Sequence, residues 1–129
     1  MTLDHAAAGA LLDRYGRAWE AFDGDARADL FTDDVAYHEE PFEPPLVGRR
    51  AVRAYLLEAA ETQEQVEVTI ERQWVVGPTV LAAWHASLVR RPGGARVRLA
   101  GFMTLEVGDD GRIARFREWW HRRETPIDR

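Results

Sequence analysis

From Val66 onward the chain alternates apolar and polar residues in four runs, Val66–Val76, Thr79–Arg91, Arg96–Val107 and Arg112–Arg123. Neighbouring side chains on an extended backbone point to opposite faces, so such runs bury one face only as strands. The connections Gly77 to Thr79, Arg91 to Ala95 and Gly108 to Gly111 are the Gly, Pro and Asp clusters that reverse adjacent antiparallel strands. Four long hairpin-linked strands are therefore the frame to which the first half must fit.

That first half reads as helices around one short strand. Leu11, Leu12, Tyr15, Trp19 and Phe22 recur at helical spacing behind an Asp4 cap, with Gly24 as the stop. Asp25 is a cap for a second helix over Ala26–Phe31, and Thr32 to Asp34 a turn into a strand. On that strand Val35, Tyr37 and Glu39 share one face, and Ala36 and His38 the other. Gly48 precedes a third helix, Arg49–Glu61, whose apolar face is Val52, Tyr55, Leu56 and Ala59. The order is ααβαββββ. It implies an α+β fold, a cone-shaped α+β barrel in which a curved antiparallel sheet wraps around the N-terminal helix. Such a sheet closes only part-way, so a pocket is expected at the open end.

Composition narrows the chemistry. With 129 residues and 46% hydrophobic content, one domain spanning 1–129 is expected. There is no cysteine, hence no disulfide or thiolate nucleophile, and no lysine, hence no Schiff base. The lone serine, Ser87, has no nucleophile-elbow motif around it. His5, His38, His85 and His121 show no metal spacing, so neither a metal nor another cofactor is expected. No apolar run reaches membrane-spanning length, and the N-terminal stretch carries acids where a secretory leader would carry a basic segment; the expectation is a cytoplasmic protein away from membranes. Residues 1–65 hold 14 acids and 6 arginines, whereas 66–129 hold 8 acids and 11 arginines. An overall charge of −5 disfavours nucleic acid as a partner, yet leaves a basic face on the sheet.

The element order, with "RYGRAWEAFDGD", "LFTDDVAYHEEPFEPPLVGRRAVRAYL" and "GRIARFREWWHRRE", resembles the nuclear transport factor 2-like superfamily, and within it the SnoaL-like and ketosteroid isomerase-like members. The resemblance covers nearly the whole chain and speaks for fold more than for activity, because that superfamily holds isomerases, cyclases, dehydratases, epoxide hydrolases and non-catalytic domains. Ketosteroid isomerases use a carboxylate base on the first strand, with a tyrosine and a protonated aspartic acid as oxyanion donors. By that resemblance Tyr15 stands at the tyrosine and Glu39 at the base, while the third position falls on Met103, which cannot donate. Phe31 and Leu56 replace tyrosines that support the catalytic one in some isomerases. These departures count against steroid isomerisation. The epoxide hydrolase subgroup is similar at Glu118, but its arginine and second aspartate fall near Trp84 and Ala86.

The candidate catalytic residues are thus Glu39 as base, Tyr15 as hydrogen-bond donor and Glu118, between Phe116 and Trp120 on its strand face, as a second acid. Glu40 stays open as the base, since a bulge beside Pro41 would swap it for Glu39. Trp19, Tyr37, Tyr55, Trp84, Met103, Phe116 and Trp120 are the candidate ligand-binding residues. They suit a small, mostly apolar organic molecule, though such stripes also serve as plain core. The reading is a ligand-binding domain with acid–base catalysis of isomerase, cyclase or dehydratase type; the alternative is a non-catalytic ligand-binding or dimerisation domain. Arg96, Arg98, Arg115 and Arg117 with Phe102, Trp119 and His121 mark the outer sheet face. Homodimerisation through that face is implied by the resemblance, and an acidic partner is the third reading.

Overall fold

A computed structural model describes residues 3–126. Asp4 caps α1 (His5–Glu20), its carboxylate accepting the Ala7 N–H at 2.7 Å, which satisfies one of the donors a helix start leaves free. Ala8, Leu11, Leu12 and Tyr15 form its buried stripe. The helix ends before Gly24, with Ala21 as its C-cap. Phe22 then takes a φ of 56° and leaves its ring 37% exposed instead of extending the stripe.

α2 (Gly24–Ala28) is also displaced from the sequence expectation. Asp23, not Asp25, caps it, accepting the Ala26 N–H at 2.9 Å. It stops short of Leu30 and Phe31 because the Leu30 carbonyl accepts the Ile113 N–H at 2.7 Å, which draws Phe31 into β1 (Phe31–His38). Thr32 to Asp34 are therefore strand rather than turn. This pairing joins residues far apart in sequence, and no local pattern signals it.

A short β2 (Leu46–Val47) folds back antiparallel on β1, so the order is ααββαββββ, one element longer than the sequence suggests. Gly48, at φ 94°, makes the left-handed entry to α3 (Arg49–Ala60) that other residues adopt only with strain. Arg49 ties that helix start to β1, donating to the Phe31 carbonyl and pairing with Asp33 at 2.8 Å. β3 (Gln63–Val76), β4 (Thr79–Arg90), β5 (Arg96–Val107) and β6 (Ile113–Thr125) follow as hairpins. The sheet order is β2-β1-β6-β5-β4-β3. β1 and β6 run parallel, so the sheet is mixed rather than wholly antiparallel.

The sheet is curved and not closed, with β2 and β3 as its edges. An edge strand offers unpaired backbone groups, and α1 satisfies those of Val68 on β3. Glu20 accepts the Val68 N–H at 2.8 Å and Arg17 donates to the Val68 carbonyl at 3.1 Å, beside the register shift between Glu64 and Glu67. The core between helix and sheet is aromatic as well as aliphatic. The Tyr37 and Phe116 rings stack at 4.7 Å, with Phe31 edge-on to both. Gly101 keeps the inner face shallow, since a Cβ there would lie 2.8 Å from the Trp84 ring and 2.5 Å from the Trp119 carbonyl oxygen.

Candidate active site

The open end of the sheet holds a cavity of about 250 Å³. α1 and α2 contribute Trp19 and Arg27, β1 and the bend after it Tyr37 and Glu39, and α3 Tyr55, Leu56 and Ala59. The sheet supplies Trp84, Leu88 and Arg90 from β4, Val97 and Leu99 from β5, and Glu118, Trp120 and Arg122 from β6. Strand alternation accounts for the last set, because Glu118, Trp120 and Arg122 are two residues apart and share a face.

Of the residues singled out from sequence, Glu39, Glu118, Trp19, Tyr37, Tyr55, Trp84 and Trp120 reach this cavity. Tyr15, Met103 and Phe116 are not among its lining. They lie deeper, at 2%, 2% and 0% exposure, because the inner face packs the α1 stripe tightly before the sheet opens. Glu39 lies just past the end of β1 and faces the cavity, whereas Glu40 is exposed and outside it.

Arg27, like Arg90 and Arg122 at the same cavity, is a residue that sequence reasoning missed. It reads as an ordinary surface arginine of a short helix, yet it is only 9% exposed. Its Nη2 donates to the Tyr15 hydroxyl at 2.6 Å, and its guanidinium lies 4.6 Å from the Tyr15 ring centre and 4.8 Å from that of Trp19. Such cation–π contacts compensate part of the cost of burying a charge. No local signal marks it, since it lies eight residues past Trp19 on a separate short helix. Arg27 thus stands where Tyr15 was expected to reach the ligand.

Burial pushes the Glu118 carboxyl up to about 8 from the ordinary 4.5; Arg27 opposes the shift and the Glu39 carboxylate adds to it. Glu118 keeps some accessible area because it lines the cavity, but the dense protein around it governs its titration. Near neutral pH it is mostly protonated. Burial also raises the hydroxyls of Tyr15, Tyr37 and Tyr55, so all three remain neutral donors. The Tyr55 hydroxyl is further raised by donating to Glu39. Trp19 is held by its own bond, Nε1 donating to Gln63 Oε1 at 2.8 Å.

The cavity therefore contains a protonated acid, a second carboxylate oriented by a tyrosine, a buried cation and aromatic walls. Among the described residues no group of three or more His, Asp or Glu side chains is placed to hold a metal ion, and no helix is long and apolar enough to cross a membrane.

Solved structures show the same fold. SalBIII, an epoxide hydrolase/cyclase-like enzyme in pyran ring formation in the polyether salinomycin, is 20% identical with a TM-score of 0.80, covering 92% of this chain and 93% of its own. An LEH-like epoxide hydrolase of Mycobacterium tuberculosis is 25% identical with a TM-score of 0.75, covering 90% and 84%. Rv0760c of Mycobacterium tuberculosis is 18% identical with a TM-score of 0.78, covering 95% and 99%. No curated protein matches the chain significantly. The family model for the SnoaL-like domain matches residues 12–116, which include the cavity-lining residues from Trp19 to Val97 and Leu99, and on that match the chain belongs to the SnoaL-like domain family.

Proposed function

We propose that the chain is a cofactor-independent acid–base enzyme that moves a proton next to a carbonyl in a small, mostly apolar organic substrate, as in isomerisation, cyclisation or dehydration. The observation that carries this reading is the pair of carboxyl groups in one cavity, with burial holding Glu118 protonated while Glu39 lies on the same cavity wall system. A carboxyl held protonated in the same cavity as a second carboxyl group is an arrangement that lets one donate while the other accepts.

Glu39 removes a proton from the carbon beside the carbonyl, and the Tyr55 hydroxyl fixes the orientation of its carboxylate. Glu118 donates its proton to the carbonyl oxygen as negative charge develops there. Arg27 adds a fixed positive charge near that oxygen, and the Tyr15 hydroxyl holds Arg27 in place. Trp19, Trp84 and Trp120 give the apolar body of the substrate an aromatic wall to pack against. The same reading includes a second copy of the chain as partner across the outer sheet face, supported by the partly exposed Trp119 and by the Trp74 and Phe102 rings, 6.0 Å apart, on that face.

The test is turnover of a panel of apolar enones, hydroxy ketones and epoxides, followed by mass spectrometry and by solvent deuterium exchange next to the carbonyl. Glu39→Gln and Glu118→Gln are each expected to lower kcat about 100-fold or more, in keeping with acid–base contributions of roughly 10²–10⁴, while Glu40→Gln stays within about twofold. Turnover unchanged in all three variants would remove Glu39 and Glu118 from the mechanism. Ligand binding without exchange or turnover would make this a binding domain.

A further inference from the structure

Three buried side-chain atoms among the described residues have no hydrogen-bond partner: Arg27 Nε, Trp84 Nε1 and Arg90 Nε. All three are N–H donors, and all three belong to residues that line the cavity described above. No buried side-chain oxygen is left over in the same way. Buried donors are normally satisfied, so three together describe what the occupant offers in return: acceptor oxygens.

The donors form two stations. Arg27 and Trp84 both lie against Trp19 in the interior, the guanidinium 4.8 Å from its ring centre and the Trp84 ring 6.1 Å from it. Arg90 lies six residues farther along β4 than Trp84, about 20 Å of strand at roughly 3.3 Å per residue, so the two cannot grip one small group. At that outer station Arg90 contacts Glu124 at 3.3 Å as an ion pair without hydrogen-bond geometry. Arg122, two residues from Glu124 on the same strand, is exposed and also lines the cavity, and it has no ion pair among the described residues. The mouth thus carries two cations against one anion. Between the stations lie Leu88, Val97 and Leu99.

We propose that the substrate is an oxo acid, an apolar body whose carbonyl oxygen sits at Arg27 and Trp84 and whose carboxylate is held at the mouth by Arg90 and Arg122. This rests on the acid–base reading above, which needs a carbonyl beside Glu118, and adds the anionic end. A carboxylate at the mouth is a strong acceptor for paired guanidinium donors, and the apolar wall between stations rejects a polar chain. An amine at the mouth meets the Arg90 and Arg122 cations and a Glu124 carboxylate already paired with Arg90.

The experiment is binding, read by calorimetry and by the fluorescence of the cavity tryptophans, and it requires no turnover. The probes are medium-chain oxo acids with a methyl ketone at one end and a carboxylate at the other, their methyl esters, the parent alkanoic acids and the matching alkylamines. The oxo acid is expected to bind about tenfold or more tightly than its ester and than the parent acid, with no measurable binding of the amine. Added salt should narrow the gap between acid and ester. Arg90→Gln with Arg122→Gln should abolish that gap while leaving the urea midpoint within the range of surface changes, so a folding defect is not mistaken for a lost contact. Equal affinity for the ester, equal affinity for the parent acid, tight binding of the amine, or no binding across the series each overturns the proposal. A bound oxo acid that stays chemically unchanged leaves the assignment standing and removes the catalytic reading; turnover of ester and acid with equal KM does the reverse.

Discussion

Glu118 shows how much one residue's setting decides. Its sequence neighbours Phe116 and Trp120 place it on the inner face of a strand, which alternation alone makes legible. What the sequence does not give is the depth of protein around it, which raises its carboxyl to about 8. Between 4.5 and about 8 the folded chain holds a proton that the unfolded chain has released. Stability therefore falls as pH rises across that window, by up to about 1.4 kcal/mol per pH unit, and the slope vanishes below 4.5 and above about 8. His38, lowered by burial and by Arg115 and Arg117, contributes with the opposite sign below its ordinary 6.5. The useful comparison is thus with Glu118→Gln, which keeps the shape and removes the titration. Urea midpoints measured at pH 5 and pH 8 should fall more for the unmodified protein than for the variant; equal falls would show that Glu118 is not held protonated by the fold.

At the scale of elements, α2 contributes most to the site for its length. Its five residues deliver Arg27, and a helix this short is marginal without its cap and its packing. Asp23 supplies the cap, and Arg53 of α3 pairs with Asp25 on its exposed side. Asp23→Ala is expected to cost about 1 kcal/mol in urea unfolding and to weaken cavity ligands several-fold, since the Arg27 guanidinium loses its fixed position between Tyr15 and Trp19. An unchanged affinity alongside the stability loss would mean that the tyrosine and tryptophan rings, not the helix, hold Arg27. The sequence made α1, α3 and the four long strands readable, because their period or alternation runs over many residues. It misplaced α2 and the start of β1, where Leu30 and Phe31 fit a helical stripe locally but are claimed by Ile113 of β6. β2, two residues long, is too short to carry a period at all.

For the whole molecule, the mixed sheet has an inner face committed to α1 and the cavity and an outer face that is basic and aromatic. On the outside Arg72 covers the Trp74 ring at 5.0 Å and Arg117 covers Trp119 at 5.0 Å, yet Trp119 remains 37% exposed. Sedimentation at micromolar concentration is expected to give twice the chain mass of 14.7 kDa, and Trp119→Glu to shift it toward one chain without loss of the α1 packing. A single-chain mass for the unmodified protein would leave this face to solvent. The sequence by itself determined the class of this protein: hairpin-linked strands behind amphipathic helices, no thiol or amine nucleophile, and Glu39 on the same strand parity as Tyr37. Those are local properties, set by alternation, helical period and residue type. Only the tertiary structure decided that β1 runs parallel to β6, that Arg27 rather than Tyr15 meets the cavity, and that Met103 and Phe116 are core. Each depends on which distant segments come together and how deeply they enclose a side chain, and no window along the chain contains that distance.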